Sequence, residues 1–230
     1  MCTVVLWDIG GTLFDYAMSM ERLLLRCLQQ ADIDIRAIDP KRVVQADEFS
    51  RQHMNLWRSA HEESTGYLHI ATLLLQGTGV TADQVRQVAA GLSRYYDLYA
   101  PVPGVRNLLE ELHNHGVIQG VVSDWPPSLP SFLRYHRFEQ YFSAIVSSGK
   151  AGITKPAPAI FMQALNELGA APSECVYVGD QPDKDINAAG ELGLHTIHFN
   201  PRRNQVNADV YAATDLKDVL WSLLRICVDT

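Results

Sequence analysis

Four separate stretches of the chain carry polar groups suited to joint chemistry. Asp8 follows the apolar run Val4–Trp7 and is itself followed by Gly10, Gly11 and Thr12. Ser123 and Asp124 follow a second strand-like run, "VIQGVV" of residues 117–122. Asp180 follows a third, "CVYVG", with Asp183 and Asp185 just beyond it. Lys155 stands directly before Pro156. Carboxylates gathered in one crevice repel unless something neutralises them. Asp8, Asp180 and Asp185 together call for a hard, oxygen-seeking cation. Mg²⁺ suits them, since it takes a few carboxylates and keeps oxygens from water or substrate. Asp183 reads as a residue at a helix N-terminus, favourable to the helix dipole, which leaves Asp185 as the better ligand.

The elements around these residues explain how they would meet. Val4–Trp7 is short and wholly apolar, as in a strand buried on both faces of a parallel sheet. From residue 103 onward the pattern alternates. Strands are expected over 117–122, 144–146, 175–178 and 195–199. Helices are expected over 105–115, 129–136, 156–168, 183–192 and 216–226, and Gly116, Gly169 and Gly193 end three of them. Such alternation implies an α/β fold, a Rossmann-like three-layer core with a parallel sheet. Ligands of open parallel sheets bind beyond the carboxyl ends of the strands. Asp8, Ser123, Asp124 and Asp180 all follow strand ends. The residue before a proline is pushed towards an extended conformation. Lys155 therefore belongs to a loop at the same edge, with Pro156 starting the next helix.

Residues 17–100 break the alternation. Met20, Leu23, Leu24, Cys27 and Leu28 form one helical stripe. A long polar helix is expected from 40 to about 63, another over 68–76. Thr81 with Gln84 resembles a capping box for a helix running to about 99. This all-helical block reads as an insertion after the first strand. The expected organisation is an α/β core of residues 1–16 and 101–230 with a helical cap of residues 17–100.

Composition removes several classes of function. The net charge is −7 with only 19 Lys and Arg, so no nucleic-acid surface is expected. Cys2, Cys27, Cys175 and Cys227 are scattered without a CxxC pair, as in a reduced intracellular protein. No apolar run is long enough to span a bilayer, and no charged-then-apolar leader precedes Val4. A cytoplasmic protein with no membrane partner is the expectation. The oligomeric state is left open.

Four motifs in this order resemble the haloacid dehalogenase (HAD) superfamily. They are "DIGGTL" from Asp8, "VVSD" ending at Ser123 and Asp124, "KPAPAIF" from Lys155, and "VGDQPDKD" with Asp180 and Asp185. The helical insertion sits where that superfamily places its cap. The resemblance implies an Asp8 nucleophile that forms an aspartyl-phosphate, splitting one hard transfer into two easier steps. It implies Mg²⁺ held by Asp8, the Gly10 carbonyl, Asp180 and Asp185. Ser123 and Lys155 would bind the transferring phosphoryl group and Thr12 would order the nucleophile loop. Gly11 lets the backbone turn beside the phosphate. The implied substrate is a small phosphorylated molecule.

The sequence departs from that family at one place. HAD phosphatases usually carry a second Asp two residues after the nucleophile, as general acid and base. Here that residue is Gly10. Such help is typically worth about 10²–10⁴ in rate. Asp15 is the nearest substitute by sequence, although it reads as a turn residue. A phosphohydrolase selective for good leaving groups, such as acyl or aryl phosphates, is the first expectation. A catalytically weak or inactive relative that binds a phosphorylated ligand or a protein is the second. A dehalogenase-type hydrolase is the third, disfavoured by Asp180 and Asp185.

Other residues read more plainly. His53, Trp57 and His61 are spaced as one helical face, an ordinary half-buried stripe or a pocket lining. Trp125 follows a strand end and is placed to touch substrate or to pack under the Pro126–Pro127 turn. His195 and His198 fall on opposite faces of a strand. Arg202 and Arg203 read as a solvated loop pair.

Overall fold

A computed structural model describes residues 3–199 and 211–228. Arg202 and Arg203 lie outside them. The core is a six-stranded parallel sheet of β1 (Val4–Trp7), β4 (Ile118–Ser123), β5 (Ala144–Ser147), β6 (Cys175–Gly179), β7 (His195–Phe199) and β8 (Tyr211–Ala213). Their order across the sheet is β5-β4-β1-β6-β7-β8. Helices α5 (Val105–Asn114), α6 (Leu129–Tyr135), α7 (Ser148–Ala151), α8 (Pro158–Leu168), α9 (Ala188–Glu191) and α10 (Leu216–Val228) complete the core. Each crossover carries a helix or a long connection, as parallel pairing demands.

The alternation along β1 shows why its run is apolar throughout. Val4 and Leu6 join one buried cluster, with Ile160, Phe161 and Leu165 of α8. Val5 and Trp7 join the other, with Leu108 and Leu109 of α5 and Leu223 of α10. With β4 on one side and β6 on the other, both faces and both edges are covered.

The helical block enters and leaves through a two-stranded antiparallel ribbon, β2 (Phe14–Tyr16) with β3 (Tyr99–Pro101). Between them lie α1 (Met20–Gln30), α2 (Pro40–His53), α3 (Ala60–Leu75) and α4 (Ala82–Leu92). Their starts follow local chemistry. Ser19 caps α1, Asp39 with Pro40 opens α2, and Ser59 caps α3. The expected Thr81–Gln84 capping box is present at α4.

Several boundaries differ from the sequence reading; the expected helix over 183–192, for one, is a π-helical turn over Pro182–Asn187 followed by α9. The expected helix over 40–63 is two helices, and α3 absorbs the one expected over 68–76. The break falls at Trp57, whose extended backbone (ψ 134°) turns the indole inward. There it packs over Gly66 and edge-on to Tyr67, centroids 5.1 Å apart. Burying that ring outweighs helix continuity, so His53, Trp57 and His61 do not share a face. The helix α4 stops at Leu92, and a 3₁₀ turn, Tyr95–Leu98, points Tyr95 and Leu98 into the core. Lastly, α8 begins at Pro158, where the missing N–H costs nothing. Pro156 stays in the preceding turn, closed by Ala157 N–H donating to Thr154 O at 3.0 Å.

Candidate active site

The strand ends gather the polar residues into one charged floor. Asp8 is buried, its backbone N–H donating to Val178 O at 2.9 Å. Its Oδ1 accepts from Ser123 Oγ at 3.0 Å and from Lys155 Nζ at 2.6 Å. Lys155 Nζ also donates to Asp185 Oδ1 at 2.6 Å and to the Tyr177 hydroxyl at 3.2 Å. Asp185 is fully buried, and its second oxygen accepts from Gln181 N–H at 3.0 Å. Thr12 Oγ1 stands 3.4 Å from Asp8 Oδ2.

These contacts set the ionisation of the group. Burial pushes the Asp8 carboxyl above its ordinary value; Lys155 pulls it down and Asp185 pushes it up again. Burial alone would lower the Lys155 ammonium. The carboxylates of Asp8 and Asp185 overcome that and hold it above its ordinary value, so it stays charged. Asp180 is pushed up to about 7, first by burial and then by the charges of Asp8 and Asp185.

Asp180 also holds the clearest sign of a missing partner. Its Oδ1 is buried and has no hydrogen-bond partner. Asp8, Asp180 and Asp185 offer oxygens all within 4.8 Å of one another. Three hard oxygens and an unmet carboxylate fit a small divalent cation of the Mg²⁺ type. Asp183 is exposed and accepts from Asn187 Nδ2 at 3.2 Å, apart from that group.

The two glycines after Asp8 differ in what they permit. Gly11 has a φ of +84°, and a Cβ there would collide with the Asp180 carboxylate. Only glycine lets the loop pass so close. Gly10 has no such constraint, since a Cβ there would meet only Trp125 Cζ3, at 3.4 Å. An acid at residue 10 is absent although space for its first atom exists.

Asp8, Gly10, Gly11, Ser123, Asp124, Trp125, Lys155 and Asp180 all line one cleft of about 490 Å³. Within it, Asp124 Oδ1 accepts from the Lys155 backbone N–H at 2.9 Å, so this carboxylate holds the lysine loop. Trp125 is buried, donating from Nε1 to the Tyr95 hydroxyl at 3.0 Å. Asp15 lines the cleft from within β2 and not from a turn. Tyr16 and Tyr99 also line it and were not picked out from the sequence, and so does His198, whose Nε2 lies 3.1 Å from Asp180 O. Nor was Tyr177, whose hydroxyl donates to Val122 O at 2.9 Å. Its only signal is a hydroxyl-bearing ring inside an otherwise apolar strand.

A family model, described as haloacid dehalogenase-like hydrolase, matches residues 2–193. The chain belongs to that family. As a haloacid dehalogenase-like hydrolase it has both partial and near-complete relatives. Haloacid dehalogenase-like hydrolase domain-containing protein 3 of Xenopus laevis is 32% identical over 124 residues, 53% of this chain. That match covers 51% of the frog protein, so the chain spans about half the length of this relative. Glyceraldehyde 3-phosphate phosphatase of Methanopyrus kandleri is 28% identical over 218 residues, 89% of this chain and 87% of that protein. Among solved structures, a 2-haloacid dehalogenase from Pseudomonas syringae pv. Tomato DC3000 superposes with a TM-score of 0.74. It is 23% identical and covers 98% of this chain and 99% of its own, which shows the shared fold. No helix among the described residues of this hydrolase is long and apolar enough to cross a membrane.

Proposed function

We propose that this hydrolase removes the phosphoryl group from a small phosphorylated molecule by way of Asp8. One observation carries the reading. Lys155 Nζ and Ser123 Oγ converge on the same oxygen of Asp8, at 2.6 and 3.0 Å, on the floor of an open cleft. A carboxylate so placed has donors beside it for the oxygens of a bound phosphoryl group.

An oxygen of Asp8 attacks phosphorus, and the bond from phosphorus to the leaving oxygen breaks. The electron pair departs with that oxygen, leaving an aspartyl-phosphate. Water then attacks the same phosphorus, the Asp8–phosphorus bond breaks, and inorganic phosphate and a proton are released. Ser123 and Lys155 hold the non-bridging oxygens through both steps, and Asp124 keeps the Lys155 loop in place. Asp8, Asp180, Asp185 and the Gly10 carbonyl are the groups proposed to hold Mg²⁺. Bound there, the ion would offset the negative charge of the carboxylates and the phosphoryl oxygens. Residues 17–100 serve as the lid that excludes water.

The reading is tested by turnover of acetyl phosphate and p-nitrophenyl phosphate with Mg²⁺. Release of phosphate that stops on adding chelator supports it. Halide release from 2-haloacids without metal would replace it with a dehalogenase. Gly10 favours a second reading, a site that binds phosphorylated ligands with little turnover. Stabilisation by inorganic phosphate and Mg²⁺ without hydrolysis would select it.

A further inference from the structure

The cleft over Asp8 continues past its aromatic side. Tyr16, Tyr99, Asp124 and Trp125 also line an adjoining space of about 930 Å³. That space shares Met20, Asp47, Ser50, Met54 and Tyr95 with a recess of about 80 Å³ among the cap helices. Leu24, Ala46, Ile70, Leu74 and Leu92 make the recess apolar. Tyr67 also lines it. This residue is 5% exposed, and its hydroxyl has no hydrogen-bond partner. A buried hydroxyl without a protein partner can pair with an oxygen that enters the recess.

The leaving-group side of the cleft points the same way. Trp125 and Tyr99 lie with ring centroids 5.0 Å apart, and Tyr16 stacks on Tyr99 at 4.8 Å. These rings form a wall beside Gly10, where the proton donor is missing. Among the described residues lining the three spaces, the Lys and Arg side chains are Lys155 and Arg51, and Arg51 is paired with Asp47. Among those residues no unpaired Lys or Arg stands ready for a second phosphate or carboxylate on the substrate.

Resting on the phosphohydrolase reading above, we infer that the substrate is the phosphate monoester of a phenol. The aromatic ring lies against Trp125, Tyr99 and Tyr16. A short apolar substituent carrying one oxygen enters the cap recess and meets the Tyr67 hydroxyl. The recess has roughly half the volume of a cavity of about 150 Å³ that holds benzene, so it takes the substituent and not the ring. The chemistry agrees with the shape. A phenol ionises near pH 10, as the Tyr side chain does. A phenolate therefore departs without a proton, whereas the alkoxide of a sugar hydroxyl is far more basic. The missing acid at residue 10 and the aromatic wall select one class of leaving group.

The test uses non-hydrolysable phosphonates, with binding read by calorimetry in the presence of Mg²⁺. Phenylphosphonate should bind about tenfold more tightly than methylphosphonate, the scale of one good aromatic contact. A para-methoxy group should add a further gain. Trp125→Leu should remove most of the preference for phenyl, and Tyr67→Phe or Ala46→Leu the gain from methoxy. Equal binding of phenyl- and methylphosphonate overturns the inference and leaves the phosphohydrolase reading standing. Tyr67→Phe that keeps the whole methoxy gain overturns the role of the recess. Failure of both phosphonates to bind sinks the phosphohydrolase reading itself, and the inference with it.

Discussion

Two buried polar clusters flank the seam between core and cap, and they are built on opposite rules. On the core side, Lys155 lies 2.6 Å from both Asp8 and Asp185, all three nearly inaccessible. Charge meets charge in a setting of low polarity. On the cap side, Glu63 of α3 is also buried, yet no Lys or Arg among the described residues pairs with it. It accepts from Ser128 N–H at 3.1 Å and Ser128 Oγ at 2.6 Å. Ser128 Oγ lies 2.6 Å from the Tyr95 hydroxyl, which accepts from Trp125 Nε1 at 3.0 Å. Burial pushes the Glu63 carboxyl above its ordinary value, and the bonds from Ser128 hold it back.

The contrast teaches what each cluster is for. A buried ion pair is expensive to assemble, and breaking it by removing one partner is more expensive still. Such a cluster belongs where charge is needed for chemistry and must not move. A chain of donors running from indole to hydroxyl to hydroxyl to carboxylate costs less to open. Such a chain can open at low cost, and it connects α3 to the ring beside Gly10.

The comparison can be broken or sharpened by substitution. Asp8→Asn should lower turnover of p-nitrophenyl phosphate by about 10⁴-fold or more, the scale of losing a covalent nucleophile. Retained turnover would remove Asp8 from the chemistry. Lys155→Met leaves Asp8 and Asp185 buried and unneutralised. It should lower the unfolding free energy by about 3–5 kcal/mol in urea titrations. Glu63→Gln should cost little, because its carbonyl still accepts from Ser128 Oγ, and Glu63→Ala more, about 1–3 kcal/mol, yet less than Lys155→Met. Glu63→Ala should raise KM more than it lowers kcat, since it loosens the lid. If Glu63→Ala proved as costly as Lys155→Met, the two clusters would not differ in kind.

The glycine pair gives the smallest and cleanest contrast. Gly11→Ala should cost about 1–2 kcal/mol for its left-handed backbone alone, and more for the displaced Asp180. Gly10→Ala should stay within about 1 kcal/mol of the natural protein. Gly10→Asp should raise turnover of alkyl phosphates, by up to about 10²–10⁴-fold if its carboxyl reaches the leaving oxygen. Equal costs for the two alanine variants would mean that the loop is not held against Asp180.

Much of this molecule could be read along the chain because the signals are local. A strand covered on both faces must be apolar, so "VVLW" and "CVYVG" announce themselves. A helix start shows in Ser19, Asp39 and Thr81 because the cap is made within three residues. The polar residues at strand ends were legible for a topological reason, since parallel strands place all their carboxyl ends along one edge. The break at Trp57 was not legible. Helical spacing runs through it, and only the packing against Gly66 and Tyr67, supplied by another helix, favours the turn. Asp124 reads along the chain as one more polar residue at a strand end. Its engagement with the Lys155 backbone joins two loops 31 residues apart. Glu63 and Ser128 are 65 residues apart, and nothing near either one in the chain marks the bond.

By itself, the amino-acid order determined the parallel core, the helical insertion, the acidic edge and the absence of an acid at residue 10. These rest on residue type and short-range spacing, which act before any long-range contact forms. Only the tertiary structure decided that Lys155 lies between Asp8 and Asp185, that Gly11 is compelled while Gly10 is not, and that a rim of rings leads to an apolar recess with an unpaired hydroxyl. Those are facts about distances between segments far apart in sequence, and they exist only once the sheet and the cap have brought the segments together.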